Sequence, residues 1–177
     1  VGTRPRVQRS IRTGPAAGEV FDVDVPTTVQ LIASFEGGEQ AQGLFSFDSA
    51  LERAGVLEVH GTEGSMFLPD PNHFVGEISR VEPLGVLLDD FRPEQERLEV
   101  PLQGAEVGRG LGLLDMVRAI AEGRPHVASG ELGHHVLDVL LSAEESAAGA
   151  GFVTVESTLG APVPVLPANF DPFARTL

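Results

Sequence analysis

The amino-acid sequence predicts an α+β protein, with a largely antiparallel, open-faced sheet and two or three helices packed on one face. Three observations predict this class. Several short segments alternate apolar and polar residues with the period of two that half-buried strands show. Short glycine-containing turns join some of these segments, so their strands can pair antiparallel. Farther along the chain, two segments carry apolar residues at the three- and four-residue spacing of helices.

Composition narrows the class of protein. A length of 177 residues suits a single domain with a core of its own. The net charge of -14 disfavours nucleic acid and anionic membrane surfaces as partners, and no apolar run is long enough for a membrane helix. The absence of cysteine excludes disulfides and thiolate metal sites. It says little about the redox compartment, and because no secretory signal region is visible we expect a cytoplasmic protein by default.

The N-terminal segment is rich in arginine. Residues 1–4 read as the end of a strand, 9–19 as a loop and 21–25 as a strand. Four of the twelve basic residues, all arginine, fall in the first thirteen positions, which hold no acid. These arginines either border a strand edge and contact the acidic remainder, or form an anion-facing patch. In the second interpretation Arg9 and Arg12 line a substrate.

The clearest hairpin joins 27–35 to 40–48 through a Glu-Gly-Gly-Glu turn. One of its faces is neither fully apolar nor charged, and consists of Gln30, Ile32, Ser34, Gln42, Leu44 and Ser46. A solvated face usually carries Lys, Glu or Arg, whereas a subunit interface tolerates amide, small and scattered apolar side chains. We therefore expect this face, called the neutral face below, to form an oligomer contact. An ordinary exposed sheet face is the alternative.

A second hairpin is predicted over 57–68. Its two halves alternate as strands do, and Gly61 and Gly64 can take the positive φ that allows the chain to reverse. Pro69 and Pro71 then end the pairing, because proline has no N–H to donate to a ladder.

The remaining elements follow from periodicity and from helix breakers. Short strands are expected at 86–90 and 97–102, around an acidic loop that reads as a solvated charge run more readily than as a cation site. Helices are expected over 111–122 and from the N-cap Ser129 to Gly149. A final strand is expected at 152–156. The domain then spans 1–160, and 161–177 is an extended, proline-rich tail.

Two blocks of sequence resemble a known family. The first is GTEGSMFLPDPNHF, over 61–74, and the second is GRGLGLLDMVRAIAEGRPHVASGELGHHVLDVLLSAEESAAG, over 108–149. Both are similar to the C-terminal domain of the glucose-fructose oxidoreductase, inositol dehydrogenase and MocA family (Gfo/Idh/MocA). They occur in the family's order and at its usual separation, so the likeness covers almost the whole chain.

This resemblance implies the substrate-pocket and oligomerisation domain of a NAD(P)-dependent oxidoreductase that acts on a sugar, polyol or related compound. It also implies a homodimer or homotetramer formed through the open sheet face. In the family, NAD or NADP is held by an N-terminal Rossmann domain with a GxGxxG loop and a catalytic lysine, and this sequence contains neither. We therefore expect the chain alone to bind no cofactor and to be catalytically inactive.

Histidines are the other candidates for contact with a substrate. If a histidine contacts a substrate, the candidates are His73, His126 and His135, and ordinary exposed loop or structural roles are the alternative. His135 matches a histidine common in the family's helix. His134 and His135 point about 100° apart on a helix and so cannot share a metal ion. His134 with Asp138 has suitable spacing for two ligands but lacks a third.

Other motifs argue against further activities. The glycines of 108–112 precede a helix but follow no clean strand, which favours a plain loop over a nucleotide site. The absence of a GxSxG elbow disfavours a hydrolase. Two functions remain: one domain of a full-length oxidoreductase, or a non-catalytic ligand-binding or assembly module of the same fold.

Overall fold

The structure is a computed structural model of the chain and describes residues 1–4, 6–50, 57–83, 95–102 and 107–174. Helices together with antiparallel sheets confirm the predicted α+β class. The chain forms two compact units: the first combines Val1–Glu52 with Gly130–Ala161, and the second combines Arg53–Ser129 with Pro162–Leu177. Within the described ranges, no helix has the length and apolar character needed to cross a membrane.

The described residues form nine strands and two helices. The strands are β1 (Gly2–Thr3), β2 (Gln8–Ser10), β3 (Val20–Asp22), β4 (Thr28–Ser34), β5 (Gln40–Ser46), β6 (Leu57–Gly61), β7 (Gly64–Leu68), β8 (Ile78–Val81) and β9 (Leu98–Val100). The helices are α1 (Leu111–Glu122) and α2 (Gly130–Gly149). All of these strand pairings are antiparallel, in sheets ordered β1-β4-β5, β2-β3 and β6-β7-β8-β9.

The first unit contains the hairpin that bears the neutral face. β4 pairs with β5 in one unbroken register, beginning with Thr28 opposite Ser46. β1 lies on the other side of β4, where the N-terminal ammonium of Val1 donates a hydrogen bond to the Gln30 carbonyl at 2.7 Å. β1 and β5 are therefore the two edge strands of this sheet.

The second unit contains the predicted β6–β7 hairpin, extended by two strands. β9 lies within the strand expected at 97–102, but β8 was not predicted. Its sequence, Ile-Ser-Arg-Val, is short and has apolar residues at its two ends, so it does not show the alternation that identifies a strand. Pairing with β7 decides the structure here and buries Val81.

The turn of this second hairpin depends on Gly64. Gly64 has a φ of 137°, whereas Gly61, Thr62 and Glu63 have no positive φ, so the turn is not of type I′. A Cβ on Gly64 would lie 2.3 Å from the carbonyl oxygen of Val81. The missing side chain therefore allows β8 to approach the turn.

The two helices have the predicted bounds, but α1 buries an unexpected side. Its apolar residues Leu113 and Ile120 are exposed, while Asp115, Arg118 and Ala119 are buried. Asp115 and Arg118 bind backbone groups of segments that follow the helix, so these segments cover that side. Polar contacts, rather than an apolar stripe, therefore decide which side of α1 is enclosed.

Other predicted elements differ from the structure. The strand expected at 152–156 is wrong, because this segment pairs with no described strand. β2 includes the first residues of the loop expected at 9–19. The strand expected at 86–90 and the acidic loop after it lie outside the described residues.

Candidate functional site

The neutral face is exposed in the first unit. All six of its residues are exposed, and the accessible fractions of Ile32 and Leu44 are 63% and 67%. Ile32 lies opposite Gln42, and Leu44 lies opposite Gln30, so each apolar side chain has an amide side chain as its cross-strand neighbour. The face carries no ionisable group. A partner surface can therefore cover it without burying an unpaired charge.

The opposite face of this hairpin carries an aromatic ring over a glycine. A Cβ on Gly43 would lie 2.7 Å from the Phe45 ring and 3.5 Å from Leu31. The ring of Phe45 therefore lies across the bare backbone of Gly43, although 63% of Phe45 is accessible. This packing supports the strand from one side and leaves the neutral face open on the other.

Arg9 is bound to an internal carboxylate at the end of β5. One Nη of Arg9 donates to the Phe47 carbonyl at 2.9 Å and to Asp48 Oδ1 at 3.1 Å. Arg6 lies 3.6 Å from the same oxygen, and the Thr27 hydroxyl donates to the other oxygen. The Thr27 hydroxyl and then Arg9 outweigh burial and hold the pKa of the Asp48 carboxyl below its usual value. This part of the arginine-rich segment therefore contacts the acidic body, as one of the two interpretations expects.

His135 lies on α2 and contacts the segment that follows the helix. Its Nδ1 is 2.8 Å from the Ser157 hydroxyl, and the Ser157 N–H donates to Asp138 at 2.8 Å. The Ser157 hydroxyl and N–H together lower the pKa of the Asp138 carboxyl. In a hydrolytic triad histidine lies between serine and aspartate, whereas here serine lies between the other two. The arrangement thus holds Ser157 against α2 and does not have the order of a hydrolytic triad.

His126 lies next to a buried ion pair in the second unit. Asp115, whose side chain is 3% accessible, accepts hydrogen bonds from Arg124 and from the Val127 N–H, both at 2.8 Å. Burial raises the pKa of the Asp115 carboxyl, but the Val127 N–H, Arg124 and His126 outweigh it and leave the pKa lowered. His126 itself is half-buried. The loop after α1 is therefore held to the helix by one carboxylate.

The C-terminal tail is also held to α1. The two Nη atoms of Arg118 donate to the carbonyls of Asp171 and Ala174 at 2.6 and 2.7 Å, and the guanidinium lies 4.8 Å from the centre of the Phe170 ring. Phe170 is buried. The proline-rich tail lacks regular structure, as expected, but it is docked through these contacts.

Of the five predicted substrate-lining residues, Arg9, Arg12 and His135 belong to the first unit, and His73 and His126 belong to the second. Arg12 and His73 are exposed in loops. Within the described ranges, no hydrogen bond or ion pair links any two of the five. Asp115 and Arg118 were not predicted to have a role. Their one signal in the sequence is a pair of opposite charges three residues apart on a helix otherwise rich in apolar residues. Ser157 carries no such signal.

Two arrangements that bind a dinucleotide or a metal ion can be compared with the described residues. A Rossmann cradle places its glycine loop between a parallel strand and a helix, whereas every described sheet is antiparallel. The described residues contain no group of three His, Asp or Glu side chains placed to hold a metal. Asp138 binds Ser157, so it is not a free partner for His134. No family model, curated protein or solved structure matches the chain.

Proposed function

We propose that this chain is the C-terminal substrate-pocket and oligomerisation domain of a NAD(P)-dependent oxidoreductase of the Gfo/Idh/MocA type. The enzyme acts on a sugar, polyol or related compound in the cytoplasm, and the chain is inactive without a nucleotide-binding domain. The two blocks of family-like sequence support the proposal, since they lie on the β6–β7 hairpin and on both helices. The antiparallel sheets support it too, because they leave the dinucleotide to a separate Rossmann domain.

The neutral face is the observation that carries the assembly part of the proposal. It combines exposed Ile32 and Leu44 with amide and hydroxyl side chains in a chain whose net charge is -14. A solvated face of so acidic a protein would be expected to carry carboxylates. Covering this face buries apolar area and leaves the amides to pair across the interface.

A second candidate is a non-catalytic assembly module of the same fold. One observation favours it. Arg9 and His135, two of the five expected substrate-lining residues, direct polar atoms to partners within the chain. Fewer groups are then free to bind a sugar or polyol, whereas the neutral face is unaffected.

Sedimentation of two charge variants tests the assembly role. Ile32→Glu places a carboxylate on the neutral face and is expected to weaken association about tenfold or more, because the charge is buried without a partner. Val25→Glu is the matched control: Val25 is 60% accessible and lies outside the face. It adds the same charge and is expected to leave association unchanged. Wild-type chain that sediments as a monomer, or equal effects of the two variants, would contradict the role.

Titration with NADH and NADPH tests whether the chain binds a dinucleotide without a separate nucleotide-binding domain. The purified chain is expected to leave the fluorescence of both cofactors unchanged and to oxidise no sugar, because the dinucleotide site lies in another domain. The gene is expected to encode, upstream of Val1, about 120 to 150 residues with a strand, GxGxxG loop and helix. Cofactor binding by the chain alone would contradict the proposal, and an initiator codon immediately before Val1 would favour the assembly module.

A further inference from the structure

Among the residues that the structure describes, the outer edge of β5 has backbone groups without a hydrogen-bond partner. Antiparallel pairs alternate between those that exchange hydrogen bonds and those that do not. Bonds at both ends of the hairpin establish the alternation: the Phe35 N–H donates to the Glu39 carbonyl at 2.9 Å, and the Phe47 N–H to the Thr27 carbonyl at 2.8 Å. Odd-numbered residues of β5 therefore bond to β4, and the even-numbered residues direct their N–H and C=O away from it.

The same alternation is visible on the other side of β4. The Gln30 N–H donates to the Val1 carbonyl at 2.9 Å, and Gln30 accepts from the Val1 ammonium, so even residues of β4 bond to β1. No such partner is found on the outer side of β5 in the described part of the chain. The backbone groups of Gln42 and Leu44 are thus available to another strand.

This edge also lacks the features that normally prevent edge pairing. Such features are short length, charged side chains, proline and bulges. β5 has seven residues, none of them ionisable or proline, and its register with β4 contains no bulge. The other described edges differ: β6 carries Glu58 and His60, and β1 has only two residues. β2, β3 and β9 have three residues each and contain Arg9, Asp22 and Glu99 respectively.

We propose that β5 pairs with β5 of a second copy of this chain, antiparallel about a two-fold axis through Gly43. In this register Gln42 bonds to Leu44 of the second copy, and Gln40 to Ser46, so that about eight N–H···O=C bonds form. The result is one continuous six-stranded sheet. The inference rests on the proposed assembly role and adds a second contact that uses the strand edge rather than the neutral face.

The side chains of β5 fit this register. Gly43 meets Gly43 of the second copy in a non-hydrogen-bonded pair, where backbones approach most closely and side chains crowd. The large Phe45 lies beside the small Ala41 of the second copy, and Leu44 lies beside Gln42. No like charges oppose each other, because β5 carries no charge, although each copy carries -14. A strand bearing carboxylates would repel its own copy in this position.

The edge and the neutral face together give a tetramer. Edge pairing joins two copies into a continuous sheet whose neutral faces point to the same side, and a second pair covers that side. With 18.7 kDa per chain, the tetramer of four chains has a mass of about 75 kDa. Loss of either contact leaves a dimer through the other.

Gln42→Pro tests whether β5 pairs with β5 of a second copy. Proline removes an outward N–H and blocks close approach, but leaves the bonds of Ala41 and Gly43 to β4 intact, as is usual for proline in edge strands. The matched control is Gln42→Thr, which removes the amide side chain from the neutral face but keeps the N–H. We expect tetramer for the wild type and for Gln42→Thr, and dimer for Gln42→Pro. We also expect dimer for Ile32→Glu, which changes the face but not the edge.

The outcomes separate the two contacts. If Gln42→Pro sediments like the wild type, or Gln42→Thr behaves like Gln42→Pro, edge pairing is overturned while the face contact can stand. If Ile32→Glu has no effect and Gln42→Pro dissociates the assembly, the face contact is wrong and the edge stands. A monomeric wild type removes both.

Amide hydrogen exchange of the wild-type chain gives a test that needs no variant. Edge pairing is expected to slow exchange at Gln40, Gln42, Leu44 and Ser46 to the level of Ala41 and Phe45, and dilution to the monomer should restore fast exchange at these even-numbered positions alone. Fast exchange at Gln42 and Leu44 in the concentrated, associated protein would overturn the proposal, even if Gln42→Pro fails to fold.

Discussion

The two compact units each contain a hairpin, a helix and an irregular segment that follows the helix, and they use these parts differently. In the first unit the hairpin ends at the open edge of β5, and one face of it is neutral and exposed. In the second unit β7 pairs with β8, and β8 pairs with β9, so the sheet extends beyond the hairpin. Val81, at the end of β8, is buried. Both hairpins alternate apolar and polar residues, but β5 lies at the edge of its sheet whereas β7 lies between two strands.

The turns of the two hairpins also differ in how closely other residues surround them. Gly38, in the turn of the first hairpin, has a φ of 92° with no atom within 4 Å of its Cβ position, whereas the Cβ position of Gly64 is blocked by the Val81 carbonyl. Both units hold an irregular segment on a helix through a charged side chain. Asp138 holds the Ser157 backbone in the first unit, and Arg118 holds two carbonyls of the tail in the second. The stability of the second unit is therefore expected to depend more strongly on buried contacts, such as those of Gly64 and Arg118.

Gly64→Ala gives the largest expected effect. The substitution adds a side chain in a left-handed conformation and places it against backbone, which is expected to cost about 3 kcal/mol of unfolding free energy. Gly38→Ala shares the conformation but has open space, so about 1 kcal/mol is expected. Gly61→Ala, with nothing nearer than 3.9 Å, is the control and is expected to be close to neutral. Urea unfolding measures all three, and equal effects of Gly64→Ala and Gly38→Ala would contradict the role of β8.

Arg118→Met is expected to release the tail. It removes two hydrogen bonds from a charged donor and should cost about 2 kcal/mol, with faster proteolytic cleavage after residue 161. Arg97→Met is the control, because Arg97 is exposed and lies 4.1 Å from the Phe67 ring centre without a backbone bond of this kind. About 0.5 kcal/mol is expected there. A tail that resists protease in Arg118→Met would show that Phe170 alone holds it.

The smallest expected effect is on the pH dependence of stability, which compares the carboxylates of Asp115 and Asp138. The pKa values of Asp115 and Asp138 are lowered in the folded chain, so the stability they contribute is present above their unfolded pKa, about 3.9, and is lost as pH falls through the folded value. Asp115→Asn leaves Arg124 with a weaker partner and is expected to cost about 1 kcal/mol at pH 7.

Unfolding measured between pH 7 and pH 3 checks this comparison. The loss of stability on acidification is expected to be smaller in Asp115→Asn than in the wild type. Asp138→Asn should reduce it less, because Asp138 is less buried than Asp115 and is bound by Ser157 rather than by an ion pair. An unchanged pH dependence in Asp115→Asn would mean that other carboxylates govern acid unfolding.

Local signals in the sequence predicted much of this fold. The bounds of α1 and α2 follow from Gly123, Ser129 and Gly149, because caps and breakers act over a few residues. The two hairpins follow from alternation and from their glycine turns. The strand expected at 152–156 was wrong for the opposite reason: it alternates as a strand does, but no strand in the described residues pairs with it.

The sequence by itself determined the α+β class, the helix bounds and the composition of the neutral face, because these depend on residue type and spacing within a short stretch. The tertiary structure decided which side of α1 is buried, where Arg9 and His135 direct their polar atoms, and which backbone groups of β5 bond to β4. These features depend on groups far apart in the chain, such as Arg118 and Asp171 or Asp138 and Ser157. A local pattern cannot specify such contacts, because each is established only when both partners are held in place by the fold.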